Sequence, residues 1–219
     1  MKETSVALKK SSRSWRLAFF LALLLLTGCT SLKRWAYEVF NRDEWQKPGE
    51  AISVLDIKTG DHVADVGSGS GYFTFRLANA VGPSGKVFAV DTDLEMNAYV
   101  SERARAEGRN NIDVILAKPN DPMLPPSSVD MIFSVNAYHF LESRAAYFAH
   151  ASKYLRPGGR VVIIDFNSRQ WFDIFGSHFT SPEVIKSEMK EAGFELTQEF
   201  RFLPKQAFLV FSRSGAWRA

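Results

Sequence analysis

One short stretch, Val63-Ala64-Asp65-Val66-Gly67-Ser68-Gly69-Ser70-Gly71-Tyr72, places three alternating glycines behind a carboxylate. Glycine accepts positive φ and lets a ligand approach the backbone closely. The stretch follows an apolar strand pattern and precedes a helical one. A loop in that position lies at the carboxyl edge of an open α/β sheet, where such sheets bind ligands. The next strand pattern, Val87-Phe88-Ala89-Val90-Asp91, ends on a second carboxylate, 24 residues past Gly67. An acid so placed accepts hydrogen bonds from ribose hydroxyls. Asp65, Gly67, Ser68, Gly69, Gly71 and Asp91 therefore form a candidate cradle for a nucleoside-bearing ligand. Groups that could move a proton come later: Tyr138 and His139 after a fourth strand pattern and His178 in a later loop, while Asp165, ending a fifth strand pattern, could line an acceptor pocket or cap a turn. The four histidines and single cysteine are far apart, which argues against structural zinc. One cysteine also excludes an internal disulfide.

These residues need a scaffold, and the pattern supplies one. Strands are expected at His62–Val66, Lys86–Asp91, Ile112–Leu116, Asp130–Val135 and Arg160–Asp165. Helices are expected at Pro48–Leu55, Tyr72–Ala80, Leu94–Glu107, Arg144–Leu155 and Pro182–Ala192, the last behind Ser181 as a cap. Continuous apolar runs such as MIFSV and VVIID suit parallel strands covered on both faces. Phe194–Arg201 and Gln206–Phe211 read as a closing hairpin. The expected fold is α/β: a doubly wound, Rossmann-like sheet of seven strands, mostly parallel, with an antiparallel C-terminal strand.

The first residues follow another logic. Lys2, Lys9, Lys10, Arg13 and Arg16 oppose only Glu3, a net +4, so the rest of the chain carries −1 of the total +3. A domain near neutrality does not call for nucleic acid. Leu17 to Leu26 is an unbroken apolar run of ten. A spanning helix needs about 20 residues, so the run fits the apolar part of a secretory signal. Leu26-Thr27-Gly28-Cys29 then resembles the bacterial lipobox. That resemblance implies cleavage before Cys29, lipidation of its thiol, and residence at the extracytoplasmic face of a bacterial membrane. With Thr30 next, it implies the periplasmic side of the outer membrane. The expected division is a signal peptide over 1–28, a tether over 29–47 and a domain over 48–219. In the tether, Trp35, Tyr37, Val39, Phe40 and Trp45 could dock on the domain or lie at the membrane interface.

The glycine spacing separates two ligand classes. A dinucleotide loop wants G-x-G-x-x-G, but Tyr72 stands where its third glycine would be. The spacing D-x-G-x-G-x-G, headed by Asp65, resembles the class I S-adenosylmethionine (SAM) methyltransferases. Ser128–Val135 is similar to that family's fourth strand, and Tyr154-Leu155-Arg156-Pro157-Gly158-Gly159 to its turn into the fifth. The segments Asp43–Pro48, Asn120–Pro126 and Val135–His139 resemble a bacterial group of methyltransferase-domain proteins with a signal sequence. The resemblance implies SAM as cofactor, with its methionine end on the glycine loop, its ribose on Asp91, and Asn136 beside it. An acid after strand three should meet the adenine amino group; here that stretch offers Asn120 or Asp121.

Methyl transfer from a sulfonium depends mostly on positioning, and a base is needed only when the acceptor must lose a proton. Tyr138, His139 and His178 are the candidates to orient or deprotonate it, each weighed against simple packing or an exposed loop. Trp171, Phe172, Phe175 and Phe179 could line an apolar acceptor pocket or pack under a loop. The expected activity is methyl transfer by a membrane-anchored enzyme to a small or lipid-phase acceptor. SAM is made in the cytoplasm and the leader exports the domain, so the alternative is a ligand-binding lipoprotein that kept the fold without turnover.

Overall fold

The computed structural model describes residues 42–167 and 180–215. The expectations for the leader, for Cys29, for His178 and for the aromatic stretch 171–179 lie outside the described residues.

Two short helices open the described chain, α1 (Arg42–Gln46) and α2 (Pro48–Ser53). Five strands then alternate with helices: β1 (His62–Val66), α3 (Thr74–Val81), β2 (Lys86–Asp91), α4 (Leu94–Ala106), β3 (Ile112–Leu116), β4 (Val129–Val135), α5 (Arg144–Ala151) and β5 (Leu155–Phe166). Helix α6 (Pro182–Glu191) leads into the hairpin β6 (Phe194–Phe200) and β7 (Gln206–Arg213). The sheet order is β3-β2-β1-β4-β5-β7-β6. All pairings from β3 to β5 are parallel, and β7 runs antiparallel to both neighbours. This is the expected seven-stranded architecture. The reversal between β1 and β4 is a topological switch point, with the glycine loop at its edge.

Alternating strand residues feed two separate cores. Val63, Val87, Ala89, Met131, Phe133, Val162 and Ile164 pack with Leu77, Ala78 and Val81 of α3 and Val100 of α4. Ala64, Phe88, Val90, Ile132, Val161 and Ile163 pack with Phe148 of α5 and Ile185 and Met189 of α6. Helix starts are set locally. Asp93 caps α4 by accepting from the N–H groups of Glu95 and Met96, and Ser181 caps α6 by accepting from that of Val184. Each cap contributes about 1 kcal/mol.

Several boundaries move from their expected places. The predicted helix over Arg144–Leu155 stops at Ala151 and tightens into a 3-10 turn over Ser152–Tyr154. Pro157 cannot continue a helix, and Leu155 already pairs with Val129 of β4. The predicted helix over Tyr72–Ala80 begins two residues late, at Thr74. The boundary at Pro48 also falls inside packed structure. Within the stretch expected to be tether, Arg42–Gln46 is helical and rests on the domain.

Candidate active site

The glycine loop hangs from β2 by its backbone. The N–H groups of Gly67 and Ser68 both donate to the Val90 carbonyl, at 2.8 and 3.2 Å. Gly67, Gly69 and Gly71 have φ of 79, 51 and 81°, so all three use left-handed conformations. At Gly67 a second constraint applies. A Cβ there would stand 2.3 Å from the Cβ of Ala137, so the loop after β1 lies directly against the loop after β4.

Two carboxylates hold the loop's ends. Asp91, half-buried at the tip of β2, accepts from the N–H groups of Gly69 (2.8 Å) and Asp93 (2.9 Å). A carboxylate has about four lone-pair positions, so it can accept from ribose hydroxyls as well. Asp65 is buried and accepts from the Thr74 hydroxyl at 2.6 Å. Burial pushes its carboxyl up to about 7, opposed by the Thr74 hydrogen bond and reinforced by the negative charge of Asp91. Ser68 is buried as well, and its Oγ has no hydrogen-bond partner. A glycine cradle, a carboxylate on the second strand and an orphaned hydroxyl between them fit the methionine end and ribose of SAM. Asp65, Gly67, Ser68, Gly69, Gly71 and Asp91 would hold it.

Opposite this cradle, β4 and β5 bring His139 and Asp165 together. Both side chains are about 2% exposed. His139 Nδ1 lies 2.8 and 3.0 Å from the two Asp165 oxygens, and the His139 backbone N–H donates to Asp165 Oδ2 at 3.1 Å. Phe140 lies over the imidazole, with ring centroids 4.1 Å apart, and Phe166 approaches its edge at 6.2 Å. Asn136 has φ 54° and donates its N–H to the Ile164 carbonyl. Its side-chain oxygen accepts from Gln206 Nε2 of β7 at 2.7 Å.

The structure removes Tyr138 from the acceptor side. Its ring is wholly buried and stacked on Phe148, at 5.5 Å, and its hydroxyl donates to Glu188 of α6 at 2.7 Å. Arg144 also grips Glu188, with two contacts of 2.8 Å. Burial, and then Glu188, push the phenol far above its usual range, so it stays a protonated donor. The role expected for it at the sulfonium is replaced by packing. Asp121 is also reassigned. Its carboxylate accepts from Met123 N–H (2.8 Å) and the Tyr154 hydroxyl (2.6 Å), and meets His150 Nε2 at 3.0 Å. Burial alone would raise its carboxyl, but those contacts outweigh it and hold it at about 2. It clasps the β3–β4 loop to the end of α5 and is not presented to an adenine. Asn120 is exposed in the same turn.

Of the α1 contacts, only a docked Trp45 is expected from the sequence. The Arg42 guanidinium lies 4.0 Å from the Tyr72 ring centre, and Asp43 accepts from the Tyr72 hydroxyl and pairs with Arg76 at 3.0 Å. Trp45 stacks on Phe166 at 5.8 Å.

Sheet order, glycine cradle and strand-two acid together define the Rossmann-like fold of class I methyltransferases. Residues 63–159 match the family model described as a methyltransferase domain. The chain thus carries a class I SAM-dependent methyltransferase domain. It is 32% identical over 106 residues to an arsenite methyltransferase of Halobacterium salinarum, covering 48% of this chain and 27% of that protein. It is 27% identical over 150 residues to a protein-L-isoaspartate O-methyltransferase of Ignicoccus hospitalis, covering 68% of each. The chain therefore spans between about a quarter and two thirds of the length of these curated relatives. Among solved structures, a SAM-dependent methyltransferase from Aquifex aeolicus superposes with a TM-score of 0.75 at 24% identity, over 84% of this chain and 97% of that one.

Proposed function

We propose that this chain moves the SAM methyl group to a small or membrane-associated acceptor that enters at the carboxyl ends of β4 and β5. SAM, when bound, supplies a methyl on a positively charged sulfur that leaves as a neutral thioether. The chain's own residues do the rest. The glycine loop and Asp91 fix the donor, and the turn from Asn136 to His139 borders the acceptor side. The observation that carries this reading is the contact of Gly67 with Ala137. It sets the donor cradle beside the only strand end in the described residues where a buried histidine meets a buried carboxylate.

The curated relatives named above act on unlike acceptors, so the acceptor is read from this chain alone. The anchor belongs to the proposal too. The basic start, the ten-residue apolar run and Cys29 support a lipid-held protein at the extracytoplasmic face of a bacterial membrane. Among the described residues no helix is long and apolar enough to cross a membrane.

Calorimetry on the full chain in detergent tests the donor site. SAM should saturate it and NAD should give no heat; the reverse result sinks the assignment. Mass spectrometry of the membrane fraction tests the anchor. An acylated peptide beginning at Cys29 is expected, and an intact Met1 terminus would refute it.

A further inference from the structure

We propose that Asp165 is the positioning residue of a general base, His139, and that the acceptor is a flat-ring compound bearing a weakly acidic hydroxyl. This rests on the methyl-transfer reading above and names its substrate class.

The first support is the geometry of the pair. Asp165 accepts three times: from the His139 backbone N–H at 3.1 Å, from Nδ1 at 2.8 Å, and from the Phe166 N–H at 2.7 Å. An ionised carboxylate only accepts, so Nδ1 must carry the proton, which makes Nε2 the basic nitrogen. A histidine placed only for packing has no need of a carboxylate so fully committed to its tautomer. The two backbone contacts also fix the carboxylate itself, so the ring is held from both its side chain and its main chain.

The second support is the surroundings. Phe140 and Phe166 flank the imidazole, and Trp45 stacks on Phe166. Phe140 is 68% exposed, a large ring left at the surface beside a buried histidine. Flat faces of this kind favour a flat ring in offset or edge contact. Gln206 stands opposite Phe166 in the β5–β7 register and is 2% exposed. Its Nε2 is used by Asn136, while its Oε1 is buried with no hydrogen-bond partner. A buried acceptor without a donor marks a place for a ligand group that donates, such as a second hydroxyl on the ring.

The chemistry then selects the hydroxyl. An ordinary phenol is a weaker acid than imidazolium by about 3.5 pKa units, a gap a positioned base can bridge. An alkyl hydroxyl, close to water at about 15.7, lies roughly nine units away. In the step, the acceptor O–H bond breaks and its proton forms an N–H bond at His139 Nε2. The oxygen electron pair bonds to the methyl carbon as the carbon–sulfur bond breaks, and that bonding pair stays on sulfur. Asp165 stabilises the imidazolium, which later returns its proton to water.

The test uses the full chain in detergent with SAM and three probes of one ring size: catechol, benzyl alcohol and benzylamine. Catechol should be methylated and benzyl alcohol should not. Asp165→Asn should lower kcat on catechol about 10²- to 10⁴-fold, with SAM affinity unchanged and KM moved only a few-fold. Asp165→Glu should restore part of the loss. Independently of turnover, nitrogen NMR of histidine-labelled wild-type chain, assigned through His139→Gln, should show Nδ1 protonated and Nε2 bare. The inference is overturned if Nδ1 is the bare nitrogen, if Asp165→Asn turns over like wild type, if benzylamine outpaces catechol, or if a SAM-loaded chain leaves catechol unmethylated. Failure of the wild-type chain to bind SAM would instead remove the reading beneath it.

Discussion

The two sides of the site are built by different means. On the β1–β2 side, recognition comes from the main chain: three glycines at positive φ, N–H groups tied to Val90 and Asp91, and carboxylates at strand ends. On the β4–β5 side it comes from side chains brought together across 26 residues (His139 with Asp165) and across 70 (Asn136 with Gln206). A main-chain site needs small residues at fixed spacing, and so it leaves a written pattern. A side-chain site needs only that distant strand ends coincide, so its residues can be marked one by one at strand ends while their pairing leaves no pattern. The first should tolerate almost no added atom; the second should tolerate isosteric change in shape but not in proton inventory.

The sharpest way to break that contrast is Gly67→Ala. Its φ of 79° and the 2.3 Å approach to Ala137 both forbid a Cβ. SAM affinity should fall more than 100-fold by calorimetry, with a stability loss of several kcal/mol. Gly158 is the control, since it has φ 78° but nothing within 4 Å of an added Cβ. Gly158→Ala should lose only about 1–2 kcal/mol in denaturant melts and leave SAM affinity alone. Equal effects at both glycines would mean that strain, not close approach, explains the loop.

Next in size is Asp91→Ala. Removing charged acceptors from ribose hydroxyls costs on the order of 1.5–3 kcal/mol, or roughly 10- to 150-fold in SAM affinity. The Gly69 N–H loses its partner too, which places the expected value in the upper part of that range. A change below threefold would take Asp91 out of the cradle.

A smaller effect is expected from protons. Asp65 titrates at about 7 because burial disfavours its charge, with Thr74 and Arg42 opposing and Asp91 adding to the rise. Its folded pKa exceeds its ordinary 3.8, so the folded state binds the proton more tightly than the unfolded one. This contribution is complete below about 3.8 and is lost as pH rises through 7, roughly 4 kcal/mol in all. A cationic ligand favours the ionised form, so SAM should bind about tenfold better at pH 8 than at pH 6 and release a proton in doing so. Calorimetry in two buffers of different ionisation heat counts that proton. Asp65→Asn should flatten both slopes; persistence of either would assign it to another group.

The smallest effect belongs to Tyr138→Phe. It removes the hydrogen bond to Glu188, which Arg144 continues to hold, so stability should drop by about 1–3 kcal/mol with turnover intact. A large fall in kcat at unchanged stability would return Tyr138 to the acceptor side.

These cases also show what could be read before folding. Strand order, the cradle and Asp91 were legible because apolar runs and glycine spacing are local. Tyr138 was misplaced because a residue after β4 faces either the ligand edge or the core, and only Phe148 and Glu188, distant in sequence, decide which. Asp121 was misread for the same reason, since Tyr154 and His150 claim it from another helix end. The start of the domain was placed at Pro48 because five polar-rich residues carry no core periodicity, yet Tyr72 and Phe166 hold them.

That five-residue helix has a thermodynamic meaning. Asp43 grips Tyr72 and Arg76 beside the cradle, while Trp45, two residues on, grips Phe166 beside the dyad. One turn therefore touches both sides, and through it donor and acceptor binding would be linked. Any such linkage must be reciprocal: the factor by which donor binding changes acceptor affinity equals the factor by which acceptor binding changes donor affinity. Donor and acceptor would then load in a preferred order, and departure of one product would ease that of the other. A double-mutant cycle on Asp43→Ala and Trp45→Ala, read as SAM affinity, measures this linkage. Strict additivity would show that α1 transmits nothing.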